Sequence, residues 1–426
     1  MEANPDRATR GQRLLWRLGC ALLAMGVLGN EWLLSRILSP DGSIDDPSDL
    51  FLIRVFQTVC LVWGATNLVQ YRTTLIAKLN LLFVTLLLAS PLLCEVAIRG
   101  GIAAGAPGFR RPSLYFDPLS DDNFWKLRFL WSPAAAEKKP FTVKVVYDEL
   151  LGWAPEQNDD NPLGIVREGA YRVETDGSVL FYGDSFVEGN TPEPDRIPQS
   201  LDRLITDRVV YNYGVSGYGV DQIYLRLRET HDQFQRPIVL VGLLTSDLDR
   251  SVLSFRDRPK PRFDIDGNAL RLEGVPIARS NAEFVETHPP RVLSYFWSFL
   301  QTRYRLHRPG SWREDRVKQA EKVAVNRAIL TEMVGLCRQR QTAVHVVVFY
   351  DPQELNYAGW REQFLLRELD QLGADVIDTK PILQRAAQRN GVEAASYYQS
   401  DHHLNADGNR IVAEAIARRI TPQTEE

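Results

Sequence analysis

Cysteine is scarce: the 426 residues contain 4, at positions 20, 60, 94 and 337. Three lie in apolar N-terminal segments, and Cys337 stands alone beyond them, so no disulfide can form within the later part of the chain. The compartment stays open, because an oxidising space permits disulfides without requiring them. A large charge of one sign is also missing. Lys plus Arg total 50 and Asp plus Glu total 54, a formal net charge of −4. No basic footprint supports nucleic-acid binding. With 44% hydrophobic residues the composition also excludes wholesale disorder. There is no internal repeat and no low-complexity run.

What is present divides near residue 100. Three apolar stretches, at about 14–38, 50–69 and 75–98, approach the roughly 20 residues that a helix needs to cross a hydrocarbon core. They predict a transmembrane region over 1–100 of about three helices, partnered by the lipid bilayer. Two spans, or a soluble helical cap, remain open. No small-residue cleavage site ends the first stretch, which argues against a removed signal peptide. Arg7, Arg10, Arg13 and Arg17 precede or open it. The loop after it carries Asp41, Asp45, Asp46 and Asp49 with no Lys or Arg, whereas the next loop carries Arg72 and Lys78. This asymmetry predicts a cytoplasmic N-terminus and an extracytoplasmic location for everything after the third span. Arg99, Arg110 and Arg111 run against that orientation.

Residues 101–140 read as a connector broken by Gly and Pro. Beyond it, 141–426 alternates short Val/Ile/Leu runs with amphipathic stretches. Strand candidates lie at 143–147, 178–182, 208–212, 237–244, 343–349 and 374–378, with helices at 199–205, 220–233, 317–340, 364–372 and 407–420. Buried strands separated by helices predict an α/β fold, a parallel sheet covered on both faces. In such sheets the site lies at the carboxyl ends of the strands. There the sequence offers Gly183-Asp184-Ser185-Phe186, then Asn212-Tyr213-Gly214-Val215-Ser216-Gly217, then Thr245-Ser246-Asp247, and late in the chain Asp401-His402-His403-Leu404-Asn405. One segment brings a serine and another a histidine and an aspartate.

The four blocks, in this order, resemble the SGNH (GDSL-like) hydrolase family over about 143–420. The resemblance implies a three-layer, flavodoxin-like hydrolase domain. A serine hydroxyl needs an adjacent base to act as a nucleophile. Ser185 would be that nucleophile, His403 the base that takes and returns its proton, and Asp401 the carboxylate that fixes the ring. The family often places the Asp three residues before the His; that position here is Ser400, so the tighter Asp-x-His form is adopted. His402 is a rival base. The resemblance also implies an oxyanion hole of the Ser185 and Gly217 N–H groups and an Asn side chain. Ser246 stands at the Asn position, a departure. Loss of one such donor can cost roughly 2.7–4 kcal/mol in the transition state. Asp184 and Asp247 read as supporting acceptors for turn N–H groups.

An insertion at 250–316 holds a basic run and a hairpin signal whose turn is Asp266-Gly267-Asn268. It could wall the cleft or form a solvated face. No metal site is expected from Asp401, His402 and His403, since no second cluster with ligand spacing accompanies them, and no organic cofactor is implied. The expectation is a membrane-anchored esterase acting through an acyl-Ser185 intermediate on a small O-acyl ester of a carbohydrate or lipid. The alternatives are an O-acyltransferase modifying an exported polysaccharide, and a non-catalytic binding or assembly subunit of the same fold. Oligomeric state is not legible.

Overall fold

The computed structural model describes residues 10–33, 47–70, 74–132, 144–168, 173–267, 269–306 and 316–421. Arg7, the aspartates at 41, 45 and 46, Arg72, the start of the 143–147 strand candidate and Asn268 of the hairpin turn lie outside them. The chain forms two compact units, one of Met1–Arg110 with Ser294–Arg313 and the other of Arg111–Leu293 with Glu314–Glu426.

The first unit contains helices α1 (Arg10–Leu28), α2 (Pro47–Gln70) and α3 (Thr74–Ala103), and a further helix, Tyr295–Leu306. Among the described residues no helix is long and apolar enough to cross a membrane. The side chains at 81, 84, 85, 87 and 88 of α3 are not among those described. At some positions the polarity of this unit is inverted relative to a water-soluble bundle, although Cys60 and Ile76 are buried and Arg54 and Glu31 pair at its surface. Asn67 and Asn80 are buried, at 0% and 4% exposure, and hydrogen-bond each other between α2 and α3. Leu82, Leu86, Leu92, Leu93 and Val96 are exposed.

The second unit is built on a five-stranded parallel sheet: β1 (Val179–Gly183), β2 (Val210–Gly214), β3 (Ile238–Leu244), β4 (Ala343–Phe349) and β5 (Asp375–Asp378), in the order β5-β4-β3-β1-β2. Read from the other edge this is 2-1-3-4-5, the flavodoxin-like order. Alternation along each strand sends side chains to opposite faces. Leu180 and Tyr182 of β1, Val239, Val241 and Leu243 of β3, and Val346 and Val348 of β4 face one cluster. Val179, Phe181, Leu240 and Phe349 face the other.

Helices cover both faces. α4 (Ser185–Glu188), α5 (Ile197–Leu204), α6 (Val220–Thr230), α7 (Asp247–Arg250), α8 (Arg316–Gln339), α9 (Trp360–Gln371), α10 (Thr379–Asn390) and α11 (Ala406–Ile420) follow in chain order. α6, α8 and α9 supply the first cluster, and α5, α10 and α11 the second. The result is a three-layer α/β unit with its parallel sheet buried in the middle.

Two sequence expectations change. The strand candidate at 143–147 appears as Val145–Asp148, paired antiparallel with Gly152–Pro155 outside the main sheet. The Gly152 turn reverses the chain before it can enter a parallel pairing, which needs a crossover. The helix at Thr379–Asn390 has no counterpart among the sequence expectations, because Lys, Gln and Arg dominate that stretch. The hairpin in the insertion forms as Arg262–Asp266 paired with Ala269–Glu273.

At the end of β1 the chain turns straight into α4, and Gly183 permits it. A Cβ there would lie 2.3 Å from Val187 Cγ2 and 2.9 Å from the Gly242 carbonyl oxygen. Gly183→Ala should therefore destabilise the second unit by about 1–3 kcal/mol through overpacking. The measurement is the shift in denaturant midpoint of the purified chain; an unchanged midpoint would refute the close packing at this turn.

Candidate active site

α4 is one turn long, so its dipole contributes little; its use is to present Ser185 and free backbone donors. Asp184 caps the turn, its Oδ1 accepting the Phe186 N–H at 2.9 Å. Ser185 Oγ meets His403 Nε2 at 2.8 Å. A ring that accepts from the hydroxyl at Nε2 holds its own proton at Nδ1. Nδ1 lies 3.3 Å from Asp401 Oδ2, without the alignment of a hydrogen bond. The Asp401 carboxylate is itself fixed. Oδ1 accepts the His403 N–H at 3.2 Å, and Asn190 Nδ2 donates to Oδ2. Burial raises the Asp401 carboxyl, but the His403 backbone N–H, the His403 ring and the Asn190 amide outweigh it and hold its pKa below the usual value. The Phe186 ring lies 5.2 Å from the His403 ring and keeps it from turning away.

The expected residues converge on one cleft of about 430 Å³, whose lining includes Ser185, Gly217, Ser246, Asp401 and His403. Gly217 has φ +87°, a conformation that glycine adopts freely and other residues rarely. The backbone N–H groups of Ser185 and Gly217 donate to no other described residue. Ser246 makes no side-chain cap for α7, so its hydroxyl is not committed to that helix.

Asp184 and Asp247 do accept turn N–H groups, Asp247 Oδ2 taking that of Leu244 at 3.0 Å. They also share a cation that sequence reasoning missed. Arg250 Nη1 donates to Asp184 Oδ2 at 2.8 Å, to the Tyr218 carbonyl at 3.1 Å, and to Asp247 Oδ1. Both carboxylates are fully buried. Burial and the charge of Asp184 push the Asp247 pKa well above the usual carboxylate value. Burial pulls Arg250 down, but Asp247 and Asp184 more than restore it, and its pKa rises. The signal was present: an Asp247-x-x-Arg250 spacing puts acid and base on one helical face. Asn190 carried no signal, since it sits in a loop far from Asp401 in sequence. Arg256 also lines the cleft and donates to the Gly217 carbonyl at 3.0 Å; burial and the neighbouring Arg250 lower its pKa to about 9.

Among the described residues no group of three or more His, Cys, Asp or Glu could hold a metal ion. The geometry can carry nucleophilic acyl chemistry: a hydroxyl on a base, a carboxylate behind the base, and unengaged N–H groups beside the hydroxyl.

The arrangement sits at the carboxyl edge of a parallel α/β sheet. Residues 342–426 match the model of a family described as the SGNH hydrolase-like domain of acetyltransferase AlgX. No curated protein matches the chain. Similar solved structures include a G-D-S-L family lipolytic protein from Veillonella parvula, at 13% identity and TM-score 0.34, covering 57% of this chain and 97% of its own. An acetylxylan esterase from Geobacillus stearothermophilus is 14% identical with TM-score 0.33, covering 58% of this chain and 96% of its own.

Removing the shared cation should be costly, because it strands two buried carboxylates. Arg250→Met should destabilise the chain by about 3–5 kcal/mol. Asp247→Asn should cost less, because Arg250 keeps Asp184 as a paired carboxylate. Urea midpoints of the two variants test this; an Arg250→Met midpoint equal to that of the unaltered protein would contradict it.

Proposed function

We propose that the chain is a membrane-anchored serine enzyme of the SGNH type, acting on a small O-acyl ester of a carbohydrate or lipid. The observation that carries the reading is the 2.8 Å contact between Ser185 Oγ and His403 Nε2, with Asp401 behind the ring. In the first step Ser185 Oγ attacks the ester carbonyl as His403 Nε2 takes its proton. The imidazolium that forms is stabilised by Asp401, whose lowered pKa keeps it ionised through the neutral range. Oxyanion charge falls on the N–H groups of Ser185 and Gly217, with the Ser246 hydroxyl as the third donor in place of the family's Asn. His403 then returns the proton to the leaving alcohol, leaving an acyl-Ser185 ester. In the second step His403 deprotonates the incoming molecule, and Ser185 leaves as its hydroxyl.

If the incoming molecule is water the enzyme is an esterase; if it is an alcohol it is an O-acyltransferase. The second reading is favoured by the family match over 342–426, whose description names an acetyltransferase. It makes acetyl the acyl group of choice; an exported polysaccharide as acceptor rests on the membrane reading alone.

The membrane reading rests on the apolar stretches in the sequence and on the partly inverted polarity of the first unit. A buried Asn67–Asn80 pair with leucines outside fits a lipid surround, where small polar groups pair between helices and apolar side chains face the acyl chains. The arginine-rich N-terminus then sets the catalytic unit on the extracytoplasmic side.

Acetate release from an acetylated saccharide tests the reading. Ser185→Ala should abolish it. Asp401→Asn should lower kcat by about 10⁴, through loss of the productive tautomer. Release by Ser185→Ala at the unaltered rate would overturn the mechanism.

A further inference from the structure

A second histidine borders the cleft and takes no part in the steps above. His402 has φ +73°, a left-handed conformation that non-glycine residues seldom adopt. The turn needs this reversal. His402 N–H donates to the Gln399 carbonyl at 3.0 Å and the Gln399 N–H to the His403 carbonyl at 2.7 Å, which sets Asp401 and His403 side by side. Glycine or asparagine would supply the reversal at less cost. The imidazole is therefore not explained by the backbone.

The ring is not loose. Nδ1 lies 3.1 Å from Asp351 Oδ1, and Asp351 stands just beyond the end of β4. Asp351 is the N-cap of the short helix Pro352–Asn356, and its backbone N–H donates to Glu354 Oε2 at 3.2 Å. Both His402 and Asp351 line the same cleft as Ser185. The His402 side chain remains half exposed, so the ring edge opposite Asp351 is accessible.

We infer that His402, oriented by Asp351, is a positioning residue that binds a second hydroxyl of the alcohol portion of the substrate. The inference rests on the ester reading above and narrows it to alcohols with neighbouring hydroxyl groups, as in a sugar ring. With Nδ1 directed at Asp351, the His402 ring leaves Nε2 to hydrogen-bond a substrate hydroxyl. One hydroxyl of a diol then hydrogen-bonds His402 while the adjacent one is aligned for His403. The leaving alcohol of acylation and the acceptor of transfer occupy the same place, so one contact serves both steps. Atoms balance without His402 taking a proton: the acyl–Ser185 bond breaks, the acyl–acceptor bond forms, and the acceptor proton passes through His403 to Ser185 Oγ.

The test uses 4-nitrophenyl acetate as donor, with methanol and a methyl glycoside competing as acceptors. The readout is the ratio of glycoside ester to methyl ester. The unaltered protein should favour the glycoside. His402→Gly, which suits the left-handed backbone, should cut the ratio at least tenfold without lowering the thermal midpoint. Asp351→Asn should cut it at least threefold. An unchanged ratio in His402→Gly, or no glycoside preference in the unaltered protein, overturns the inference while leaving the ester reading intact. No 4-nitrophenol release from the unaltered protein is the distinct failure of the ester reading itself, and takes this inference with it.

Discussion

The hydrogen bond between Ser185 and His403 joins residues 218 apart in the chain. Neither residue has much intrinsic reactivity at neutral pH, and only their contact gives the pair a function. The contact depends on two turns. One is the abrupt turn at Gly183, which aims Ser185 outward. The other is the reversed turn at 399–403, which sets Asp401 beside the His403 ring. The parallel sheet holds the first in place from its centre, and α11, packed against α5 beneath the sheet, holds the second.

Beneath the serine lies a more expensive arrangement. Asp184 and Asp247 come from the ends of different strands, β1 and β3, and one guanidinium neutralises both. Burying three charges is rarely a route to stability. Its effect is to lock the α4 and α7 turns together, and those turns carry Ser185 and Ser246. The structure thus gives the Ser246 departure a context. Ser246 sits on a turn clamped by Arg250 at the edge of the cleft.

Much of the fold was legible because its signals are local. Runs such as 237–244 and 343–349 are too apolar for anything but a buried strand, and Gly and Asp mark where they end. The serine, histidine and aspartate were expected from the resemblance of four sequence blocks to the SGNH family, and the fold brings the three side chains together. What stayed hidden depends on tertiary placement. Arg250 and Arg256 begin a stretch rich in basic residues, and sequence alone cannot separate a buried cation from a solvated one. Asn190 and Asp351 act on residues that only the folded chain brings near. Thr379–Asn390 has a short inner face of small and mixed side chains, Thr379, Leu383, Ala386 and Ala387, at regular helical spacing, yet it has no counterpart among the sequence expectations.

The first unit bears on where such chemistry would occur, but the chemistry itself stands or falls with the serine. Its nucleophilicity depends on the imidazole 2.8 Å away. The most direct measurement is the rate at which a fluorophosphonate labels the intact chain, read by mass spectrometry, in the unaltered protein and in His403→Ala. The account predicts a single adduct on Ser185, forming at least about 10³-fold more slowly without the imidazole. Equal rates, or an adduct at another residue, would contradict it.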